Sequence, residues 1–345
     1  MVNKTEDYHY NYVYFNANCN GKVIDPNEYN AICTRDLEVL DNVEVVQVPL
    51  QKSLGLFRRL FNIHNDVRIN RRLNLPFKNI WFPYYFKADF KEKRPYCFVF
   101  ASTSYSFDYI DYLRKRYPGC KIVKIHRDLV KIAHLNPMYS EENMNRVFDL
   151  RLTFDPNEAK EYNMVHFDEI ESKIDISIDP NYPLSDVFFA GKAKDRLPKL
   201  IEAFDLFTAF GLKCDFFITH VKKEEQIQRD GITYSDMFMP YKEMLFRSVN
   251  ARFMFDINQT GAVGYTSRFL EAVMYNKRFI TDNKAVKDTE YYKTGNILYY
   301  DKVADIDKDF FKSDKANYHY EGEFSPIHLL DKIDAELVKR YYKKQ

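Results

Sequence analysis

Short apolar runs separated by polar, helix-periodic stretches recur along the chain. Tyr10–Phe15 alternates polar and aromatic residues, the period-2 signature of a strand. Val43–Leu50 predicts a second strand, closed by Pro49. Leu54, Leu56, Phe57, Leu60, Phe61 and Ile63 recur at mostly helical spacing and predict a helix over Lys52–Arg72. Cys97–Ser102 is a compact run that predicts a buried strand. Phe107–Tyr117 predicts a helix with Ile110 and Leu113 inward, stopped by Pro118-Gly119. Lys121–Ile125 and Phe148–Phe154 read as further strands.

The second half repeats the rhythm more clearly. Asp186–Ala190 is a strand ending at Gly191, and Arg196–Phe210 an amphipathic helix closed by Gly211. Strands follow over Cys214–His220, Arg252–Ile257, Arg278–Thr281 and Asn296–Tyr300. Between them, Tyr241–Val249 and Ser267–Tyr275 read as helices, and Ile327–Tyr342 as an amphipathic tail helix. Strand, helix, strand in this order predicts parallel sheets with crossover helices.

A chain of 345 residues exceeds one ordinary core, so two domains of about 150 residues are expected. The expected division is an N-terminal Rossmann-like domain over 1–170, a linker over 171–185 carrying Pro180 and Pro183, and a C-terminal Rossmann-like domain over 186–325. The last residues, 326–345, form a helix expected to pack back on the first domain through Leu329, Leu330, Ile333 and Leu337. The fold class is α/β, two Rossmann-like domains facing a cleft.

Composition narrows the partners. Lys plus Arg is 51 against 50 Asp plus Glu, so no broad field attracts polyanions and nucleic acid is not expected. The five cysteines include no C-x-x-C pair, which argues against a zinc site or disulfide framework and fits a reducing, cytoplasmic compartment. The polar and aromatic start lacks a signal-peptide pattern, and no apolar run nears the ~20 residues that span a bilayer. Membrane contact is expected to be at most peripheral, at the inner face.

Two segments carry candidate chemistry. In the first, a strand delivers Ala190, Gly191 and Lys192, followed by Asp195 and Arg196. Open α/β sheets bind ligands at that carboxyl edge, glycine admits close approach, and Lys192 and Arg196 supply charge for a diphosphate. In the second, the strand ending at Asp256 runs into a loop with Gly261 and Gly264, then into a helix that Thr266 or Ser267 can cap. Its start is a ready anion site, Arg268 adds charge in the first turn, and Glu271 is placed to accept from two ribose hydroxyls. Neither segment is a G-x-G-x-x-G or Walker pattern.

With these residues in view, Val187–Tyr300 resembles the C-terminal domain of GT-B-fold glycosyltransferases from bacterial capsule and lipopolysaccharide gene clusters. The resemblance rests on Phe189-Ala190-Gly191-Lys192, on the D-x-x-x-x-G…[ST]-x-R-x-x-E pattern from Asp256 to Glu271, and on Lys277–Asn283. Many relatives pair two glutamates; here the earlier position is Val263 and only Glu271 remains. The resemblance implies sugar transfer from a nucleotide-sugar donor held by the C-terminal domain to a glycan or lipid-linked glycan acceptor on the N-terminal one. It also implies metal-independent chemistry with no cofactor; no clear D-x-D stands on a loop, and the acidic stretch Asp301–Asp309, interspersed with Lys, reads as surface.

An inverting reaction needs a base. His126 with Asp128, after the Lys121–Ile125 strand, is the candidate, because His titrates near neutrality. His220, after the Cys214–Thr219 run, is placed to touch the donor's base or sugar. Rival readings are another GT-B reaction, such as nucleotide-sugar epimerisation or polyol-phosphate transfer, and a non-catalytic nucleotide- or glycan-binding subunit.

Overall fold

The structure is a computed structural model that describes residues 8–16, 28–46, 56, 60, 75–87, 89–101, 106–127, 129–130, 140–258 and 264–342. The described residues fall into two compact units. One takes 8–16, 29–172 and 324–342 in their described parts; the other takes Glu28 and 173–323 in their described parts. The helix expected over Lys52–Arg72 lies outside the described residues except at Leu56 and Leu60.

The first unit is built on a six-stranded sheet. Its order is β2 (Val43–Val46), β1 (Asn11–Phe15), β3 (Tyr96–Phe100), β4 (Lys121–His126), β5 (Leu150–Thr153), β6 (Val165–His166), and every neighbouring pair is parallel. Every residue of β1 is buried. Val13 and Phe15 join Phe98, Phe100 and Ile122 in one core. Tyr12 and Tyr14 join Cys97, Val99, Val123 and Ile125 in another. Successive strand side chains point to opposite faces, so alternate residues fill two cores, as a parallel sheet covered on both sides requires.

Helices supply the covers. Trp81 of helix α2 (Lys78–Trp81) and Tyr109, Ile110 and Leu113 of α3 (Phe107–Arg116) enter the first core, together with Met144 and Val147 of α4 (Glu141–Val147). The last helix, α9 (Pro326–Tyr341), covers the other face with Leu329, Leu330, Ile333 and Leu337. Burying each such aliphatic chain is worth roughly 1.5–3 kcal/mol. A polar clasp fixes its register: Asp334 accepts from Tyr12 Oη at 2.6 Å and from the main-chain N of His9 at 3.0 Å.

The second unit holds another all-parallel sheet. Its order is β12 (Ile297–Tyr299), β11 (Arg278–Thr281), β10 (Ala251–Asp256), β7 (Ser185–Lys192), β8 (Cys214–Thr219), β9 (Ile232–Ser235). Counted within the unit, the order is that of a dinucleotide-binding Rossmann sheet, 3-2-1-4-5-6. One face buries Phe189, Phe216, Phe253 and Phe255 against Leu200, Ala203, Phe204 and Phe207 of α6 (Leu197–Ala209). Helices α7 (Tyr241–Asn250) and α8 (Ser267–Met274) complete the crossovers that put β10 and β11 parallel to β7. The first and fourth strands of the unit, β7 and β10, are neighbours, so the strand order reverses between them. That is where open α/β sheets leave a crevice at the carboxyl ends.

Candidate functional site

The carboxyl end of β7 runs further than the alternation predicts. Gly191 and Lys192 continue the strand and pair with Ile218 and Thr219 of β8. Gly191 does permit a close approach, but the approaching group is protein: a Cβ there would meet Nη2 of Arg268. Arg268 lies across the end of β7, donating from Nε (3.0 Å) and Nη2 (2.6 Å) to the Ala190 carbonyl, with its guanidinium over the Phe189 ring. Nη1 donates to Asp256 Oδ1 at 2.6 Å, from the last position of β10. The two strands that flank the switch point are thus tied by one side chain.

This changes the expected part of Arg268. Its charge, read as aimed at a diphosphate, is matched by a carboxylate at hydrogen-bond distance, and three of its five N–H groups are engaged. Its side chain is 17% exposed. Arg196 departs further from expectation. It is buried, with Nη2 donating to Lys192 O at 2.6 Å and Nη1 to Ile257 O. Both are carbonyls at strand ends, so Arg196 ties β7 to β10 a second time instead of reaching out. Burial, and then Arg268, push its pKa down.

The glycine loop leaves this edge and returns to it. Asn258 N donates to Asp282 Oδ1 at 2.7 Å, and Asn283 Nδ2 donates to Gly264 O at 2.8 Å. Consecutive residues after β11 therefore hold both ends of the loop. Gly264 has φ 97°, a left-handed conformation that favours glycine, and no atom crowds the place of its missing side chain. Gly261 lies outside the described residues.

Thr266 is the cap of α8: its hydroxyl accepts from Phe269 N at 3.3 Å and donates to Asp256 Oδ2 at 2.8 Å. Ser267 follows as the first helical residue. Among the described residues the main-chain N–H groups of Ser267 and Arg268 have no acceptor. Such N–H groups and the partial positive end of the helix suit an anion.

Glu271 corrects the sequence reading. Expected to accept from ribose, it is 0% exposed, and Tyr241 Oη donates to its Oε1 at 3.2 Å. Oε2 is buried and has no hydrogen-bond partner among the described residues. Burial pushes its pKa up, to about 8, with Arg268 opposing the shift. A helical periodicity places Glu271 one turn beyond the cap but cannot show that α7 covers it.

Lys192 is different. Its ammonium lies 4.9 Å from the centroid of the Phe238 ring and joins no ion pair among the described residues. The ring of His220 lies 5.1 Å from the same ring, and His220 itself is exposed with φ 60°. Phe238 is 40% exposed. Sequence reasoning missed Phe238, which sits between Met237 and Met239 after a short edge strand, in a run too short to show a period. It also missed Asp256, although Asp256 opens the motif pattern.

The other candidates belong to the first unit. His126 is the last residue of β4, not a loop residue, and is only 4% exposed. A base must reach its substrate, so this position is a correction. Asp128 lies outside the described residues. Between them, Arg127 pairs with Glu169 at 3.4 Å and lies over the Tyr29 ring. Among the described residues no group of three His, Cys, Asp or Glu could hold a metal, and no helix is long and apolar enough to cross a membrane.

No protein-family model matches the chain, and no curated protein matches it in sequence. Solved structures show a distant likeness. An alpha-glucosyltransferase in complex with UDP and a 13-mer DNA containing a HMU base is 11% identical, with 94% of this chain and 90% of that chain covered and a TM-score of 0.45. TarM is 12% identical, with 69% and 54% covered and a TM-score of 0.44. The glycosyltransferase SnogD from Streptomyces nogalater is 9% identical, with 94% and 99% covered and a TM-score of 0.39. Likeness at this level carries no argument about activity; the fold class rests on the two parallel six-stranded sheets themselves.

Proposed function

We propose that this chain is a glycosyltransferase. It takes a sugar from a nucleotide-sugar held at the carboxyl edge of the second sheet and passes it to a hydroxyl of a surface glycan or lipid-linked glycan, of the capsule or lipopolysaccharide type. The observation that supports this most is a capped helix start at a switch point, whose first turn reaches the end of the strand that carries Lys192, a lysine with no ion pair among the described residues. Arg268, in the first turn of α8, touches Ala190, and Lys192 is two residues further along the same strand.

The leaving group of such a transfer is a nucleoside diphosphate, on which negative charge grows as the glycosidic bond breaks. Donors fixed before the reaction stabilise that charge without reorganising. Lys192 supplies a full charge, and the N–H groups of Ser267 and Arg268 supply directed hydrogen bonds. Arg268, Arg196 and Asp256 hold the strand ends that carry them. The sugar itself is supported by the motif resemblance from Phe189 to Asn283 and by the pairing of two Rossmann-like sheets in one chain.

Incubation with a panel of nucleotide-sugars tests the reading: one of them slowly yields free nucleoside diphosphate, and faster with an acceptor glycan. Turnover persists in EDTA, because the protein's own cation and helix start face the leaving group. No release from any donor, or release that needs added manganese or magnesium, contradicts the respective part.

One observation favours a second reading, a non-catalytic nucleotide-binding subunit. Arg268 and Glu271 are both committed to protein partners. Nucleotide binding without any donor hydrolysis would select it.

A further inference from the structure

Asp256 is fully buried at the carboxyl end of β10, and its two oxygens do different work. Oδ1 accepts from Nη1 of Arg268 at 2.6 Å, and Oδ2 accepts from the hydroxyl of Thr266 at 2.8 Å. Thr266 is the cap that starts α8, and Arg268 is the second residue of that helix. One carboxylate therefore fixes the beginning of the helix through the cap and the side chain that crosses to β7.

The second tie is completed at β7, where Arg268 gives two hydrogen bonds to Ala190 O. The space for that approach exists because position 191 has no side chain. Aspartate suits the position because its charge answers the guanidinium while its second oxygen remains for the hydroxyl. An amide could accept through one atom only, and the guanidinium would lose its counter-charge. Neither oxygen of Asp256 faces solvent, so a ligand cannot use it directly.

We propose that Asp256 is a positioning residue for the donor site: it sets the N-terminus of α8 and the guanidinium of Arg268 against the end of β7, and so acts on bound diphosphate through them. This rests on the donor-site reading above. Misplacing a positioning group by about 1 Å can cost about 10²-fold in rate.

The test is a binding titration with a panel of nucleoside diphosphates, the tightest for the wild type serving as probe. Asp256→Asn is expected to weaken that probe by about 10-fold, and Thr266→Val, which removes one arm only, by roughly 3-fold. Asp256→Asn combined with Arg268→Ala should bind more weakly than Arg268→Ala alone by no more than the roughly 3-fold of the Thr266 arm, because the aspartate acts only through the arginine and the cap. A merely structural role would lower Tm but leave the two losses in affinity multiplicative. Multiplicative losses, or wild-type affinity in a folded Asp256→Asn, overturn the inference while the donor site stands. If Asp256→Asn does not fold, Thr266→Val decides, and its unchanged affinity overturns the inference. No binding by the wild type overturns both the donor site and the role of Asp256.

Discussion

A Cβ placed on Gly191 would lie 2.5 Å from Nη2 of Arg268. No pair of heavy atoms tolerates that distance without a hydrogen bond, so one of them must move. The guanidinium is held by Ala190 O and Asp256, and the strand by β8 and β10. Gly191→Ala should therefore fold but displace Arg268, and weaken nucleoside diphosphate binding by about 10-fold. The same substitution in an Arg268→Ala background should cost nothing further. Full affinity in Gly191→Ala would show that Arg268 does not shape the site.

Glu271 should make stability depend on pH. Its folded-state pKa is raised by burial from 4.5 to about 8. Between those values the folded chain holds a proton that the unfolded chain has released. Stability is therefore full below the ordinary carboxylate range and falls as pH rises toward 8, by up to ~1.4 kcal/mol per pH unit. Tm measured from pH 5 to pH 8 should decline, and Glu271→Gln, which stays neutral, should flatten the decline. An unchanged slope in that variant contradicts the assignment.

The terminal helix should matter for the first unit and not for the nucleotide. Ile333→Ala removes a fully buried side chain from α9, at a cost of about 2–5 kcal/mol. Asp334→Asn weakens the clasp to Tyr12 and His9 and should cost roughly 1–3 kcal/mol. Thermal unfolding should show both losses, while the folded variants keep wild-type affinity for the nucleoside diphosphate. Unimpaired Tm in Ile333→Ala would contradict the packing described.

Much of the fold was legible because buried parallel strands are apolar on both faces. The runs at Tyr10, Cys97, Lys121, Cys214, Arg252 and Arg278 each became a strand within a residue or two at each end. Short elements escaped: β6 has two residues, and α1 (Glu28–Cys33) and α5 (Pro156–Glu161) are under two turns, too brief for a period to show. Ile232–Ser235 is an edge strand with mixed exposure, so its alternation carries little apolar signal.

At the site, local sequence showed what local physics decides. The cap at Thr266 follows from a hydroxyl before an apolar helix. What the cations pair with depends on residues far along the chain. Arg196 reaches the Ile257 carbonyl, and Arg268 the Ala190 carbonyl and the Asp256 carboxylate, all more than ten residues away, and Tyr241 over Glu271 comes from a different helix. Spacing cannot reveal such partners. It left Arg268 and Lys192 looking alike, although only one of them carries its charge to the edge unpaired among the described residues.

The central claim is that a nucleoside diphosphate binds at the carboxyl edge of the second sheet, which carries Lys192 and the start of α8. Calorimetric titration of the wild type and Lys192→Ala, with nucleoside diphosphates and their parent nucleosides at two salt concentrations, tests it most directly. The account predicts that at least one diphosphate binds far more tightly than its nucleoside. It also predicts that Lys192→Ala weakens it by about 10-fold, equal to ~1.4 kcal/mol, and lessens the salt dependence. Equal affinity for nucleoside and diphosphate, or a folded Lys192→Ala that binds like the wild type, would contradict it.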